Sequence, residues 1–341
     1  MGWTVAIGID THRDSHVAVA LDRLGGGRGS LAVSADAKGY LLLWRWAQEL
    51  GEPAFAIEGT GSYGAGLARF LVSAGAEVYE CERPRRAERR HGKSDLIDAT
   101  LAAGRLLQDS SLPRLRGGGA REDLRLLLLE RRGAVRARTA ALNQLQAVVV
   151  TAPEALRFRL RGLSGQQLAR AACRMRVREG QDAVIAGVLG RLARRVQALG
   201  RELEELDLQL EAIVTRLVPE LLEESGVGPV CAAQLVVSSG DPTRMASEAS
   251  FAALAGTSPV QASSGLKQRH RLNRGGDRQL NRALHVIALN RVRWHAQTAA
   301  YNQKLIASGK SPREARRCVK RMLARYFHRR LQMIPALDLT P

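Results

Sequence analysis

Cysteine is scarce in this chain. Cys81, Cys173, Cys231 and Cys318 lie far apart among 341 residues and include no CxxC pair, so neither a zinc site nor a disulfide framework is expected. Long apolar runs are missing as well, and none approaches the ~18 residues that a membrane-spanning helix needs. The stretch from Met1 to Asp10 has no basic segment ahead of an apolar one. It does not read as a signal peptide, and a reducing cytoplasm is the expected compartment. Acid is the most telling shortage: 33 Asp+Glu stand against 52 Lys+Arg, for a net charge of +19. An excess of that size on a folded chain points to a polyanionic partner, either nucleic acid or an anionic membrane surface. Hydrophobic residues at 45% and charged residues at 25% exclude wholesale disorder, and the length accommodates two or three domains.

The shortage is uneven. Residues 1–110 are net −1, residues 111–217 net +9 and residues 218–341 net +11, so the first third has a different task from the rest.

That first third reads as α/β. Trp3 to Ile9 is an apolar run ending in Asp10. His16 to Leu21 and Ser30 to Ser34 are further strands, separated by a glycine-rich turn at Asp22–Gly27. Gly39 to Leu50 has helical periodicity, Pro53 to Ile57 is a strand ending at Glu58, Ser62 to Ala74 a helix and Glu77 to Cys81 a strand. A basic loop, Arg83 to Lys93, precedes a helix that Ser94 caps. Strands followed by strand–helix alternation predict a mixed sheet flanked by helices. The middle third shows no convincing strand. Glu122 to about Val150 and Gln181 to Leu217 carry apolar residues three and four apart, including Val184, Val188 and Leu192 in the second, as a helical hairpin or coiled coil requires. Pro219 ends that segment, and the last third is helical with glycine-bearing turns.

Two constellations carry chemistry. Asp10 and Glu58 each follow an apolar strand, and Asp95 and Asp98 sit three apart on one face of a helix. Four carboxylates in one cleft repel unless divalent cations neutralise them, and hard oxygen ligands suit Mg²⁺ or Mn²⁺. A pair of such ions is the usual device of phosphodiester chemistry. Any one of these acids alone would be an ordinary solvated carboxylate. The second constellation is GTSPVQASSGLKQRHRLNRGG, residues 256–276. Ser263 and Ser264 lie in a turn ahead of Lys267, Arg269, Arg271, Arg274 and Arg278. A serine there has two readings: a nucleophile toward a phosphodiester held by guanidinium groups, or part of a polar loop making ordinary phosphate contacts. His270 is the local candidate for a general base. Gly226 and Gly228, in ESGVGPVCAAQL, form a Gly-x-Gly turn opening a helix, whose N–H groups suit a phosphate. The four tryptophans and seven histidines show no ligand-spaced cluster and read as core or surface residues.

The motifs AIGIDTHRDSHVAVALD, AIEGTGSYG, KSDLIDA, ESGVGPVCAAQL, FAALAGTSPVQASSG and RLNRGGDRQLNRAL, in that order from end to end, resemble the DEDD transposases of the insertion-sequence 110 group, the bridge-RNA-guided recombinases. The resemblance implies a fold of α/β plus all-α type. An RNase H/RuvC-like mixed-sheet domain would occupy residues 1–112, a central helical coiled coil 113–217, and a helical transposase domain with a helix–hairpin–helix-like motif 218–341. It also implies catalytic, metal-holding Asp10, Glu58, Asp95 and Asp98, and Ser264, directly before Gly265, as nucleophile. Its implied partners are donor and target DNA, a structured noncoding guide RNA and further copies of the chain, as a homodimer or homotetramer. The expected location is a bacterial cytoplasm, at the nucleoid and not at a membrane. Leu156–Gln181 matches no motif. A hydrolytic nuclease such as a junction resolvase, with the carboxylates activating water, is the alternative enzyme, and a purely binding protein leaves the carboxylate placement without a reason.

Overall fold

The computed structural model describes residues 2–81, 94–109, 112, 115, 119–175, 183–240, 247–261, 270–271, 273 and 275–334. They fall into two compact units that divide between Gly119 and Ala120.

The first unit is built on a five-stranded sheet. β1 (Val5–Thr11), β2 (Ser15–Asp22) and β3 (Gly27–Ser34) form an antiparallel meander. β4 (Pro53–Glu58) adds to β1 in parallel and β5 (Glu77–Cys81) to β4, giving the order β3-β2-β1-β4-β5. This mixed order, with α1 (Ala37–Glu49), α2 (Ala65–Ser73) and α3 (Asp95–Gln108) packed on it, is that of an RNase H-like α/β domain. The Asp22–Gly27 turn is held by the Asp22 carboxylate, which accepts from Leu24 N at 2.9 Å and Gly26 N at 2.8 Å. Ser94 caps α3 as expected, its Oγ accepting from Ile97 N at 3.3 Å.

The strand period sorts the two faces. Val5, Ile7 and Ile9 join Leu43, Phe55, Ile57 and Leu67 in the core shared with α1 and α2. Ala6, Ala54 and Ala56 face Ala102 and Leu106 of α3. Only small side chains let α3 come this close. A Cβ on Gly8 would stand 2.0 Å from Ala99 O and 2.2 Å from Ala103 N.

The second unit is helical, with the single short ladder of β6 (Val260–Gln261) on β7 (His270–Arg271) among its described residues. α4 (Ala120–Thr151) and α7 (Ala183–Leu217), 32 and 35 residues long, run antiparallel for about 50 Å at 1.5 Å per residue. At one end Leu145 and Val149 meet Leu189 and Ala193, with α5 (Glu154–Leu160) and α6 (Gly165–Cys173) supplying Leu160 and Leu168. At the other end Leu124, Leu128, Leu210 and Val214 enter a core with α9 (Pro229–Ser239), α10 (Glu248–Leu254), α11 (Arg278–Trp294) and α13 (Pro312–Met333). α8 (Pro219–Leu222) begins with the proline that stops α7, and α12 (Ala296–Ala307) lies between α11 and α13.

One expectation about α7 needs correcting. Val184 is 73% exposed, and the buried face of the first turns is Ala186, Leu189, Gly190 and Ala193. α6 packs on that face, where Ala186, Gly190 and Ala193 leave room for it, while Leu192 of the expected stripe is partly buried against the same core.

Candidate functional site

The candidate centre sits where the carboxyl ends of β1 and β4 meet the amino end of α3. Sequence reading put Asp10 and Glu58 past their strands. Asp10 instead lies inside β1, paired with Val17, because the hairpin ladder continues to Thr11 and His16. Glu58 is the last residue of β4. β1 and β4 are parallel with Ile9 opposite Ile57, so the next residues, Asp10 and Glu58, stand side by side. Both belong to the even-numbered set that faces α3. Thr11 ties the two strand ends together, its Oγ1 donating to Glu58 O at 2.8 Å.

From the helix side come Asp95 and Asp98, both in the first turn of α3. Asp95 is half exposed at its side chain, whereas Asp98 is buried.

The closest convergence is Asp10, His12 and Asp95. His12 Nε2 is 3.3 Å from Asp10 Oδ2 and 3.2 Å from Asp95 Oδ1. One ligand atom from each lies within 4.8 Å of the others, and among the described residues this is the one group with metal-ligand spacing. The structure therefore brings Asp10 and Asp95 to ligand distance and places Glu58 and Asp98 at the same end of the same face, outside that inner group. His12 corrects the reading that no histidine joins a ligand cluster. The signal was present as Asp-x-His at a strand end, where residues two apart project from one face.

Two carboxylates and an imidazole fit a divalent cation. Carboxylate oxygens suit Mg²⁺ and Mn²⁺, and imidazole widens the choice toward softer metals. Cys81 pairs with Glu58 across β4 and β5, and burial pushes its thiol up to about 11.

In the second unit Ser263, Ser264, Lys267, Arg269 and Arg274 lie outside the described residues. Arg271, on β7, and Arg278, the first residue of α11, are exposed. The Gly-x-Gly turn opens α9, with Gly228 as N-cap and Pro229 at the first helical position. Gly226 adopts φ +78° and packs on α11, where a Cβ would meet Asn290 Cβ at 3.1 Å. It has a packing reason of its own, and Pro229 removes one of the N–H groups a phosphate would use.

Beside that turn is a partly buried ion-pair network. Glu224 receives Arg291 at 2.7 Å, Arg330 at 2.7 Å and the Tyr326 hydroxyl. Burial alone would push the Glu224 carboxyl up, but the bonds from Tyr326, Arg330 and Arg291 outweigh it and hold the group below the usual carboxylate range.

Comparison with known proteins bears on both units. Residues 7–152 match a transposase model of the IS110 DEDD type, and residues 219–303 match the model described as transposase IS116/IS110/IS902 family. The chain is also 32% identical over 131 residues to the insertion element IS110 uncharacterized 43.6 kDa protein of Streptomyces coelicolor (strain ATCC BAA-471 / A3(2) / M145). That match covers 38% of this chain and 32% of the relative, so it spans about a third of the relative's length. The Asp10–His12–Asp95 group falls inside the first family match and the serine-rich segment inside the second. With both transposase models present in order along one polypeptide, the chain belongs to the IS110 group of transposases.

Proposed function

We propose that this chain is the recombinase of an insertion sequence, cutting and rejoining donor and target DNA under the direction of a structured noncoding RNA. The observation that carries the proposal is the ligand-spaced Asp10–His12–Asp95 group at the carboxyl end of an RNase H-like sheet, inside the transposase match. In this reading residues 1–112 carry the carboxylates, residues 113–217 form a helical arm and residues 218–341 carry the serine.

Asp10, His12 and Asp95, with Glu58 and Asp98 beside them, would hold Mg²⁺ or Mn²⁺, which when bound supplies Lewis-acid activation of a phosphodiester. Ser264 Oγ attacks phosphorus. The O–P bond to serine forms, the bond from phosphorus to one strand oxygen breaks, and the hydroxyl proton ends on that oxygen. The phosphoserine link keeps the phosphoester bond energy, so the hydroxyl of another strand reverses the step and reseals DNA without ATP. Guanidinium groups of the basic segment after Ser264 offset charge building on the phosphate. The carboxylates and the serine lie on different units of the chain, which fits a site completed only in an assembled complex, with the serine of one copy serving the carboxylates of another. The net charge of +19 supports nucleic-acid partners in general, and the guide RNA rests on the family resemblance.

The test is to incubate the protein with its element's end DNA, the adjacent noncoding RNA and Mg²⁺, then denature and look for protein–DNA adducts. Wild type should give an adduct, Ser264→Ala none, and Ser263→Ala a near-normal amount. An adduct with Ser264→Ala places the nucleophile elsewhere. Cutting without any adduct favours the hydrolytic nuclease. Equal activity with an unrelated RNA of the same length removes the guided reading.

A further inference from the structure

Helix α13 lies beyond residue 303, where the second family match ends, and its composition is extreme. Arg313, Arg317, Arg321, Arg325 and Arg329 recur every four residues over about 24 Å of helix at 1.5 Å per residue. Like charges four apart on a helix repel, so such a stripe destabilises the isolated protein unless an anion lies along it.

The helix forms one wall of a cleft of about 1480 Å³. The facing wall includes Gly256–Pro259 and Arg271, the chain segments on either side of the serine-rich loop in sequence. Eight cationic side chains line the cleft against one carboxylate, Glu314. That carboxylate is engaged in capping α13, accepting from Ser311 N at 3.0 Å and Ser311 Oγ at 2.7 Å.

Some of the cations have internal partners. Glu248 lies 3.6 Å from Arg325 and 2.6 Å from Arg329, and Glu224 takes Arg330. Others do not. Among the described residues no carboxylate stands within ion-pair distance of Arg317 or Lys320. Lys320 is only 8% exposed, and its ammonium donates to the neutral Asn281 Oδ1 at 2.6 Å. A cation held out of water with only a neutral partner is costly, and an anion in the cleft would relieve that cost.

We propose that this cleft and the arginine stripe of α13 bind the phosphodiester backbone of DNA. The inference rests on the transposase reading, and it adds a binding wall, α13, that lies outside both family matches. Eight cations give the cleft a sequence-independent attraction for phosphate, so backbone contact is the expected mode. Arg317 and Arg321, one turn apart, are the central contacts, suited to paired hydrogen bonds with phosphate oxygens.

The experiment uses the full-length protein and fluorescently labelled duplex DNA of unrelated sequence, titrated across a salt series. The double variant Arg317→Gln/Arg321→Gln should bind about tenfold or more weakly. Its log–log salt slope should be shallower by about 2, at roughly 0.9 per lost phosphate contact. Arg317→Lys/Arg321→Lys should restore the salt slope, because charge remains, but only part of the affinity, because lysine cannot make the paired hydrogen bonds. Arg28→Gln/Arg45→Gln, with the same change in net charge on the first unit, should bind as wild type, and thermal melting should show all variants folded. Wild-type affinity and slope in the Gln variant overturn the inference, as does loss of RNA binding with DNA binding intact. If wild type cuts its element's DNA while the Gln variant binds normally, the cleft assignment alone fails. If wild type neither binds nor cuts DNA, the transposase reading fails and takes this inference with it.

Discussion

Asp10 on β1 and Asp95 at the head of α3, 85 positions apart in the chain, meet across one imidazole. His12 Nε2 stands 3.3 Å from the first carboxylate and 3.2 Å from the second. Sheet register fixes Asp10, the hairpin turn holds His12 through His12 N donating to Ser15 O at 3.0 Å, and the docking of α3 against Gly8 fixes Asp95.

That arrangement predicts a cation site with three first ligands. Mn²⁺ binding to the full-length protein, followed by calorimetry or electron paramagnetic resonance, should weaken by about tenfold or more in each of Asp10→Asn, His12→Ala and Asp95→Asn, since loss of even an outer partner costs 10–100-fold in metal sites. Asp14→Asn, on a side chain 91% exposed, should bind as wild type. Unchanged affinity in Asp10→Asn would sink the site, and unchanged affinity in His12→Ala alone would remove the imidazole from it.

Gly8 is where packing and site are coupled. A methyl group there must displace the α3 backbone, which at 2.0 Å has no room to give. Gly8→Ala should destabilise the first unit by about 1–3 kcal/mol, the usual cost of overpacking. It should also weaken Mn²⁺ binding, because Asp95 rides on the displaced helix. Thermal melting and the same metal titration read both effects. An unshifted melting temperature would show that α3 docks otherwise.

Acid should loosen the second unit through Glu224. Its carboxyl is held below its ordinary value in the folded state, so its contribution is complete above that ordinary value and drains away as pH falls through the depressed one. Glu224→Gln should remove that part of the acid dependence. At neutral pH it should cost about 3–5 kcal/mol, because Arg291, 6% exposed at its side chain, loses its charge partner. Denaturant melts at several pH values test this, and parallel acid limbs for the two proteins would contradict it.

Apolar side chains left outside on the helical arm predict self-association. Phe158 on α5 is 77% exposed and Val184 on α7 73%. They are the candidates for the contact between copies that the recombinase reading calls for. Light scattering should give a dimer or tetramer, and Phe158→Glu with Val184→Glu should shift it toward monomer with helicity retained. A monomeric wild type, both free and bound to nucleic acid, would refute this.

What the sequence determined by itself was local. The alternation in residues 5–22, the serine cap at Ser94, the proline stop after Leu217 and the long periodic segments all act within a few residues, so they are legible without a partner. The four acids were legible as candidates for the same reason, each lying at the end or start of such an element. The arginine stripe of α13 was equally open to view as spacing, yet nothing local says that Gly256–Pro259 faces it to make a cleft. Tertiary structure alone decided that His12 joins Asp10 and Asp95, because strand register and the depth of α3 over Gly8 set that distance. It alone decided that α7 buries Ala186 and Ala193 rather than Val184, because a face is chosen by what packs on it. Hydrophobic pattern selects which elements form, but the contacts between elements depend on shape complementarity over residues far apart in the chain, and no short window of sequence contains that information.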